Sequence, residues 1–345
     1  MTPDHGASDE RGSAERLMSL VDGYLSTQLI YVAAELSLAD VIADSTITAD
    51  ELARALAVPA LAMRRILRGL AAIGILEEAS TDGFALTRLG ELLRADHPRS
   101  VRGAVLVRGR IYYATMGALL GSLTEQGTPF ERTHGSSFFG YLEQHPEQAA
   151  VFQSSMASRS RREAAAVVAS YSFSRYRRII DIGGGNGTLL GQILAATPTA
   201  LGVLFDRPAA VAAAVDHLGG VVRPGSWKAV DGDFFERVPP GGDLYILSRV
   251  LHDWNDRDAT AILVNCRQAM DSASCLVVIE APLPHRAADQ QAAIRMDIHM
   301  LALFEGGRER TISEYSELLD AAGLRLLRTI PLQSAGIEII EAGIR

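Results

Sequence analysis

Lysine is almost missing from this chain. Of 33 basic residues only Lys228 is a lysine, and 41 acids bring the formal net charge to −8, with an isoelectric point of about 5.5. The preference for arginine reads as coding bias. The acidic balance argues against a general binder of nucleic acid or membrane surfaces, which needs a basic face. Cysteine is scarce too. Cys266 and Cys275 form neither a C-x-x-C pair nor a zinc-ligand spacing. A reduced, cytoplasmic compartment fits. No uncharged apolar run approaches the ~20 residues that cross a bilayer. The first fourteen residues, MTPDHGASDERGSA, lack the basic start and apolar core of a signal peptide and are expected to be disordered. What is plentiful is core material: 48% of the 345 residues are hydrophobic. The length exceeds one ordinary domain of ~100–200 residues, so two domains are expected.

Residues 15–99 read as the first. Leu17 to about Ala43 is helical. Thr48 to Glu51 is a capping-box pattern opening a short helix that ends at Val58-Pro59. Leu61 to Ile73 is a second helix with Ile66, Leu67, Leu70 and Ile73 on one face. Two short strands follow around Thr81-Asp82-Gly83, a turn signal. Helix, helix, hairpin is the order of a winged helix-turn-helix. Arg64, Arg65 and Arg68 stand where a recognition helix would want them. From Asp50 to Glu78, however, four arginines meet four acids, and phosphate contacts need a local positive excess. A structural or dimerising role fits better than DNA binding.

Residues 100–170 read as a helical linker whose last part, from about Pro146 to Ser170, is one long helix. From residue 171 to 345 strands and helices alternate. RRIIDI, ALGVLF, WKAVDGD, DLYILSRVL and CLVVIE read as strands, and GLRLLRTIPL with GIEIIEA as an antiparallel hairpin. The expected class is α/β: a Rossmann-like, doubly wound, mostly parallel sheet with an antiparallel C-terminal hairpin, preceded by the winged-helix domain. Ligands of such sheets lie beyond the carboxyl ends of the strands.

The first strand runs into DIGGGNG. Glycine permits positive φ and close approach of a ligand to backbone, and the helix N-terminus that follows adds free N–H groups. The dinucleotide fingerprint G-x-G-x-x-G fails at its third glycine, because Thr188 or Leu190 stands there. Asp206 comes 19 residues after Gly187, where a ribose-binding acid is expected. Asp233 and Phe234 end the third strand, one placed to accept from an adenine amino group and one to pack on its face. Acids without a phosphate-binding lysine point to a positively charged nucleoside free of phosphate, which S-adenosylmethionine is. His252 follows the fourth strand, and an imidazole suits general-base work near neutral pH. Glu280 ends the fifth strand, 28 residues on, where a carboxylate would orient the imidazole. Glu309, before a helix start at Thr311 to Glu314, is the second candidate carboxylate. No histidine falls in a metal-ligand spacing.

DIGGGNG, FDRP, GDFF, LHDWND, VIEAPLP and GGRERT, in this order, resemble the successive motifs of the class I S-adenosylmethionine-dependent O-methyltransferases. The similarity is to the caffeic-acid type and its bacterial branch, which methylates aromatic natural products. It covers nearly the whole chain. It implies that residues 15–99 form a dimerisation domain, that 100–170 contributes to the substrate pocket, and that 171–345 binds cofactor and carries catalysis. By residue, it implies His252 as base with Glu280 and Glu309 beside it. Gly183, Gly185, Asp206, Arg207, Asp233, Phe234, Ser248 and Arg249 fall in the cofactor-binding group. Plant members have lysine where this chain has Ser248. Arg159 stands where plant relatives often have histidine, and would reach the cofactor carboxylate or an acidic substrate. Phe152, Met156, Asp253, Met296, His299, Met300 and Phe304 match substrate-lining positions, although Met and Phe at helical spacing also serve as plain core.

The implied reaction is an in-line methyl transfer. His252 takes a proton from a hydroxyl, a phenol by resemblance, the oxygen attacks the sulfonium methyl, and S-adenosylhomocysteine leaves, with no metal. The partners implied are a small aromatic substrate and a second copy of the chain, with no nucleic acid and no membrane. Two alternatives stay open: a tailoring hydroxylase or decarboxylase that keeps the cofactor as a bystander, and a winged-helix regulator that senses a small ligand.

Overall fold

A computed structural model describes residues 5–79 and 82–345. The first four residues of the tail, and Thr81 of the expected turn, lie outside them. The rest of the tail departs from the expectation of disorder, because α1 (His5–Val21) begins at His5. This segment holds no proline, and its second half is rich in Ala, Glu, Arg, Leu and Met, which lose little on entering a helix. The chain divides into two compact units: Met1–Ala114 with Pro146–Ser155, and Thr115–His145 with Met156–Arg345. The segment 100–170 is therefore shared between units.

In the first unit, α1 is followed by α2 (Gly23–Glu35), α3 (Leu38–Ile42), β1 (Ile47–Thr48), α4 (Ala49–Ala55), α5 (Ala60–Ala72), β2 (Leu76–Glu78) and β3 (Gly83–Leu86). The capping box forms: the Glu51 N–H donates to Thr48 Oγ1 at 3.3 Å, and the Thr48 N–H to Glu51 Oε2 at 2.9 Å. Pro59, unable to continue a helix from α4, caps α5. Met63, Leu67 and Leu70, spaced as one helical face, are buried with Leu38, Ile42, Leu52 and Phe84. β1, two residues long and below what periodicity can register, joins the far edge of the hairpin in the order β1-β3-β2. Arg64 donates to Asp82 at 2.8 Å, and Arg68 lies 3.7 Å from Glu78. These acids cancel the positive excess that phosphate binding needs.

The second unit is built on seven strands: β4 (Arg178–Ile182), β5 (Leu201–Asp206), β6 (Trp227–Asp231), β7 (Leu244–Ser248), β8 (Cys275–Glu280), β9 (Leu324–Leu332) and β10 (Ile337–Ile344). Their order is β6-β5-β4-β7-β8-β10-β9. The first five pair in parallel. β10 inserts antiparallel between β8 and β9, with Ile339 opposite Ile279 and Ile330. Strand residues alternate between two cores. Ile179, Leu244, Val277 and Ile339 share one with the helices Thr188–Ala196 and Pro208–Gly219. Ile180, Tyr245, Val278 and Ile340 share the other with the helices Asp256–Ala269 and Ile312–Ala321. Burial on both faces is why these strands read as continuous apolar runs. The chain winds outward from β4 through β5 and β6, then returns to β7 on the other side. This switch point opens a crevice at the carboxyl ends of β4 and β7. No helix among the described residues is long and apolar enough to cross a membrane.

Candidate active site

β4 delivers the chain into the glycine turn. Gly183, Gly185 and Gly187 have φ of 66°, 58° and 78°. A Cβ on Gly183 would come within 2.8 Å of Val250. One on Gly185 would meet nothing, so there the conformation alone demands glycine and the space beyond stays open. The Gly185 N–H donates to Asp206 Oδ2 at 2.8 Å and the Arg207 N–H to Oδ1 at 2.7 Å, holding the carboxylate at the end of β5 against the turn. Asp233 is exposed after β6 and accepts from the Phe235 N–H at 2.8 Å. The Phe234 ring stands edge-on to Trp254, and its Cε1 lies 3.8 Å from where a Gly183 Cβ would be. Ser248 ends β7, half-buried. Under the turn sits Asp181, fully buried, with no hydrogen-bond donor at bonding geometry to either oxygen. Burial first, and the nearby Asp206 second, push its carboxyl up to about 7.

Beyond β7 a single 3₁₀ turn, Leu251–Asp253, carries His252 into the interior. Its Nδ1 lies 2.9 Å from Glu309 Oε1 and 3.9 Å from Glu280 Oε2. Glu280 also accepts from the Leu251 N–H at 3.1 Å. The side chain of Arg249, expected in the cofactor-binding group, lies among these carboxylates: Nη1 donates to Glu280 Oε2 at 3.0 Å and Nη2 to Glu309 Oε1 at 2.9 Å. Its backbone has φ of 57°, a conformation that a residue with a side chain rarely keeps unless its surroundings impose it. Burial would raise Glu309, but the charges of Arg249 and His252 outweigh it and hold the carboxyl at about 2. Burial wins at Glu280, which is raised. An ionised Glu309 can only accept, so Nδ1 carries a proton; in the neutral ring that leaves the lone pair on Nε2. Nε2 faces Asp253 Oδ1 at 3.3 Å. Burial pushes Asp253 up to about 7 against the pull of Arg249. His252, Glu280 and Glu309 stand close enough to hold a metal ion. The Arg249 guanidinium, however, already bridges both carboxylates and supplies the positive charge there.

The other expected residues are spread along the helices. Met300 is buried; Met156, Met296, His299 and Phe304 are half-buried in the second unit, while Phe152 belongs to the first. Phe304 packs on Phe138 and Phe139 at ring-centre distances of 5.3 and 5.5 Å, and the Arg207 guanidinium lies 5.1 Å over Phe139. Arg159 donates from Nε to Glu163 at 2.7 Å, and its charge, like that of Arg207, acts on Asp253. Three residues at the site escaped sequence reasoning. Asp181 could have been noticed as a lone charge in a buried strand. Asp297, which accepts from the Glu309 N–H at 2.9 Å, and Arg310, fully buried beside Glu309, carry no comparable signal.

Residues 113–325 match the O-methyltransferase domain, and residues 18–96 the O-methyltransferase dimerisation domain. The chain is 40% identical over 326 residues to the phenazine O-methyltransferase of Lysobacter antibioticus, covering 94% of this chain and 95% of that protein. Its fold superposes on the structure of the mitomycin 7-O-methyltransferase with a TM-score of 0.92 at 31% identity, covering 99% of this chain and 100% of the other. An O-methyltransferase from neocarzinostatin biosynthesis, solved in complex with S-adenosylmethionine and 2-hydroxy-5-methyl naphthoic acid, matches at a TM-score of 0.80 and 31% identity. That match covers 93% of this chain and 96% of the other.

Proposed function

The chain belongs to the O-methyltransferase family, and on that footing we propose that it moves a methyl group from S-adenosylmethionine to a phenolic hydroxyl of a small aromatic natural-product intermediate, with His252 as general base. The observation that carries the proposal is the 2.9 Å contact of His252 Nδ1 with Glu309 Oε1, just past the carboxyl end of β7, which in the neutral ring leaves Nε2 as the proton acceptor.

The residues at the turn fit the cofactor. Open space beyond Gly185, Asp206 beside it, and Asp233 with Phe234 after β6 suit the ribose and adenine of a phosphate-free nucleoside. Asp181, with no donor at bonding geometry, and the lack of a lysine at the turn suit its positive charge. Bound there, S-adenosylmethionine supplies an electrophilic methyl group. The chain's own part is positional and electrostatic. Nε2 takes the proton as the acceptor oxygen loses it. Glu309, ionised and 2.9 Å from Nδ1, stabilises the imidazolium that forms and keeps its ring oriented. Arg249 keeps two buried carboxylates from repelling each other. Phe304, Met296 and Met300 offer an apolar wall for a flat ring, and Arg159 a positive charge for a cofactor or substrate carboxylate.

The chain works as a homodimer. Leu17, Met18, Leu20, Val21, Tyr24 and Leu25 expose an apolar stripe on α1 and α2, and all but Leu17 fall within the segment matched by the dimerisation domain. Two buried, free cysteines support a reducing, cytoplasmic site of action. Isothermal titration with S-adenosylmethionine, against NAD as control, tests the cofactor assignment. Saturable binding of the first alone is expected. No binding of it would leave the glycine turn a structural feature and dismiss the assigned cofactor residues.

A further inference from the structure

Arg310 is 0% exposed, yet its guanidinium is fully engaged. Nη1 donates to the Leu251 carbonyl at 2.8 Å, Nη2 to the Trp254 carbonyl at 2.7 Å, and Nε to Asp256 Oδ1 at 2.9 Å. The two carbonyls belong to the ends of the segment on which His252 rides. Of the two carbonyls between them, that of His252 itself accepts from the Arg308 N–H at 2.8 Å. A turn of three residues satisfies few of its own carbonyls, so it needs donors from elsewhere. The Trp254 N–H reaches the Leu251 carbonyl at 3.3 Å, and the donors from outside the turn to Leu251, His252 and Trp254 come from one stretch, 308–310. Glu309, in the middle of that stretch, holds the imidazole ring; Arg310, next to it, holds the backbone that carries the ring. Apolar side chains could fill the same space without the desolvation cost of a buried guanidinium, but they offer no directed donors to two carbonyls at once.

We propose that Arg310 is a positioning residue for His252: it clamps both ends of the turn, so that Nε2 meets the acceptor hydroxyl at one angle while Glu309 holds Nδ1. The proposal rests on His252 being the base. It predicts that Arg310→Lys, which keeps the charge but reaches at most one carbonyl, lowers kcat by ~10- to 100-fold, the scale of a misplacement of about 1 Å. The KM for S-adenosylmethionine should stay unchanged.

The decisive test is a double-mutant cycle with His252→Ala. If Arg310 acts through the imidazole, Arg310→Lys changes the residual turnover of the His252→Ala protein by less than ~2-fold. The same fold-loss in both backgrounds, or a wild-type kcat for Arg310→Lys, overturns the proposal. Should Arg310→Lys fail to fold, Asp256→Asn runs through the same cycle with the same two outcomes, because Asp256 anchors the guanidinium from a half-exposed position. The base assignment fails separately. Undiminished turnover in His252→Ala removes the ground for both statements, whereas an impaired His252→Ala with an additive cycle removes only the role of Arg310.

Discussion

Replacing Asp181 with asparagine should make the protein more stable, and increasingly so as the pH rises. Asp181 is fully buried under the glycine turn, between Leu204 and Ile246 on the neighbouring strands, with no donor at bonding geometry to its oxygens and only the Leu190 N–H favouring ionisation. The charged group facing it is Asp206, which also disfavours ionisation. In the unfolded chain the carboxyl ionises near 3.8, in the folded one near 7. A raised folded-state value means that the stabilising contribution is complete below pH 3.8 and declines until pH 7. At about 1.36 kcal/mol per pH unit, the gap between 3.8 and about 7 amounts to about 4 kcal/mol, and roughly 2–3 kcal/mol of it falls between pH 5 and 8. Asparagine has no such proton to lose. Thermal unfolding of the ligand-free protein and of Asp181→Asn, each at pH 5 and 8, reads the effect. At about 2–4 °C per kcal/mol for a domain of this size, the advantage of the variant should grow by roughly 5–10 °C from the lower pH to the higher. Parallel Tm profiles would refute the reasoning, and would mean that Asp181 carries a partner that neutralises it.

Removing the cation of the histidine cluster should be costly: Arg249→Met strands two buried carboxylates, and its urea midpoint should report a loss of about 3–5 kcal/mol. An unchanged midpoint would mean that one glutamate is neutral already and needs no counter-charge. Deleting the chain through Asp22 removes the exposed Leu17, Met18, Leu20 and Val21 and spares the buried Leu38 and Ile42, which a cut before Ser45 would also take away. Sedimentation should then show a monomer at concentrations where the full chain is a dimer. A stable dimer would put the interface elsewhere.

The elements legible in the sequence were those whose physics is local. The capping boxes at Thr48 and Thr311 marked helix starts because each closes within four residues. The long helix Pro146–Ser170 began at a proline and held to its periodicity. The positions just past β4, β5, β7 and β8 could be named because a doubly wound sheet puts its ligands there. Side-chain direction was not legible. Arg249 and His252 follow the same strand three residues apart, and only the left-handed backbone at Arg249 turns its guanidinium onto Glu280 and Glu309. Arg310 reads as a basic residue next to a helix cap; that it reaches the carbonyls of Leu251 and Trp254 depends on packing between segments more than fifty residues apart. Residues 5–14 are helical where their polarity alone suggests disorder, because helix propensity does not depend on apolar content.

The central claim is methyl transfer to an aromatic hydroxyl with His252 as base. Its most direct test is incubation of the protein with S-adenosylmethionine bearing a trideuterated methyl group and a panel of hydroxylated aromatic acids, read by mass spectrometry. The prediction is a product carrying one trideuteromethyl group on oxygen, formed at least ~10²-fold more slowly by His252→Ala, the usual scale for loss of a general base. A product that gains oxygen or loses carbon dioxide without the label, or undiminished labelling by His252→Ala, would contradict it.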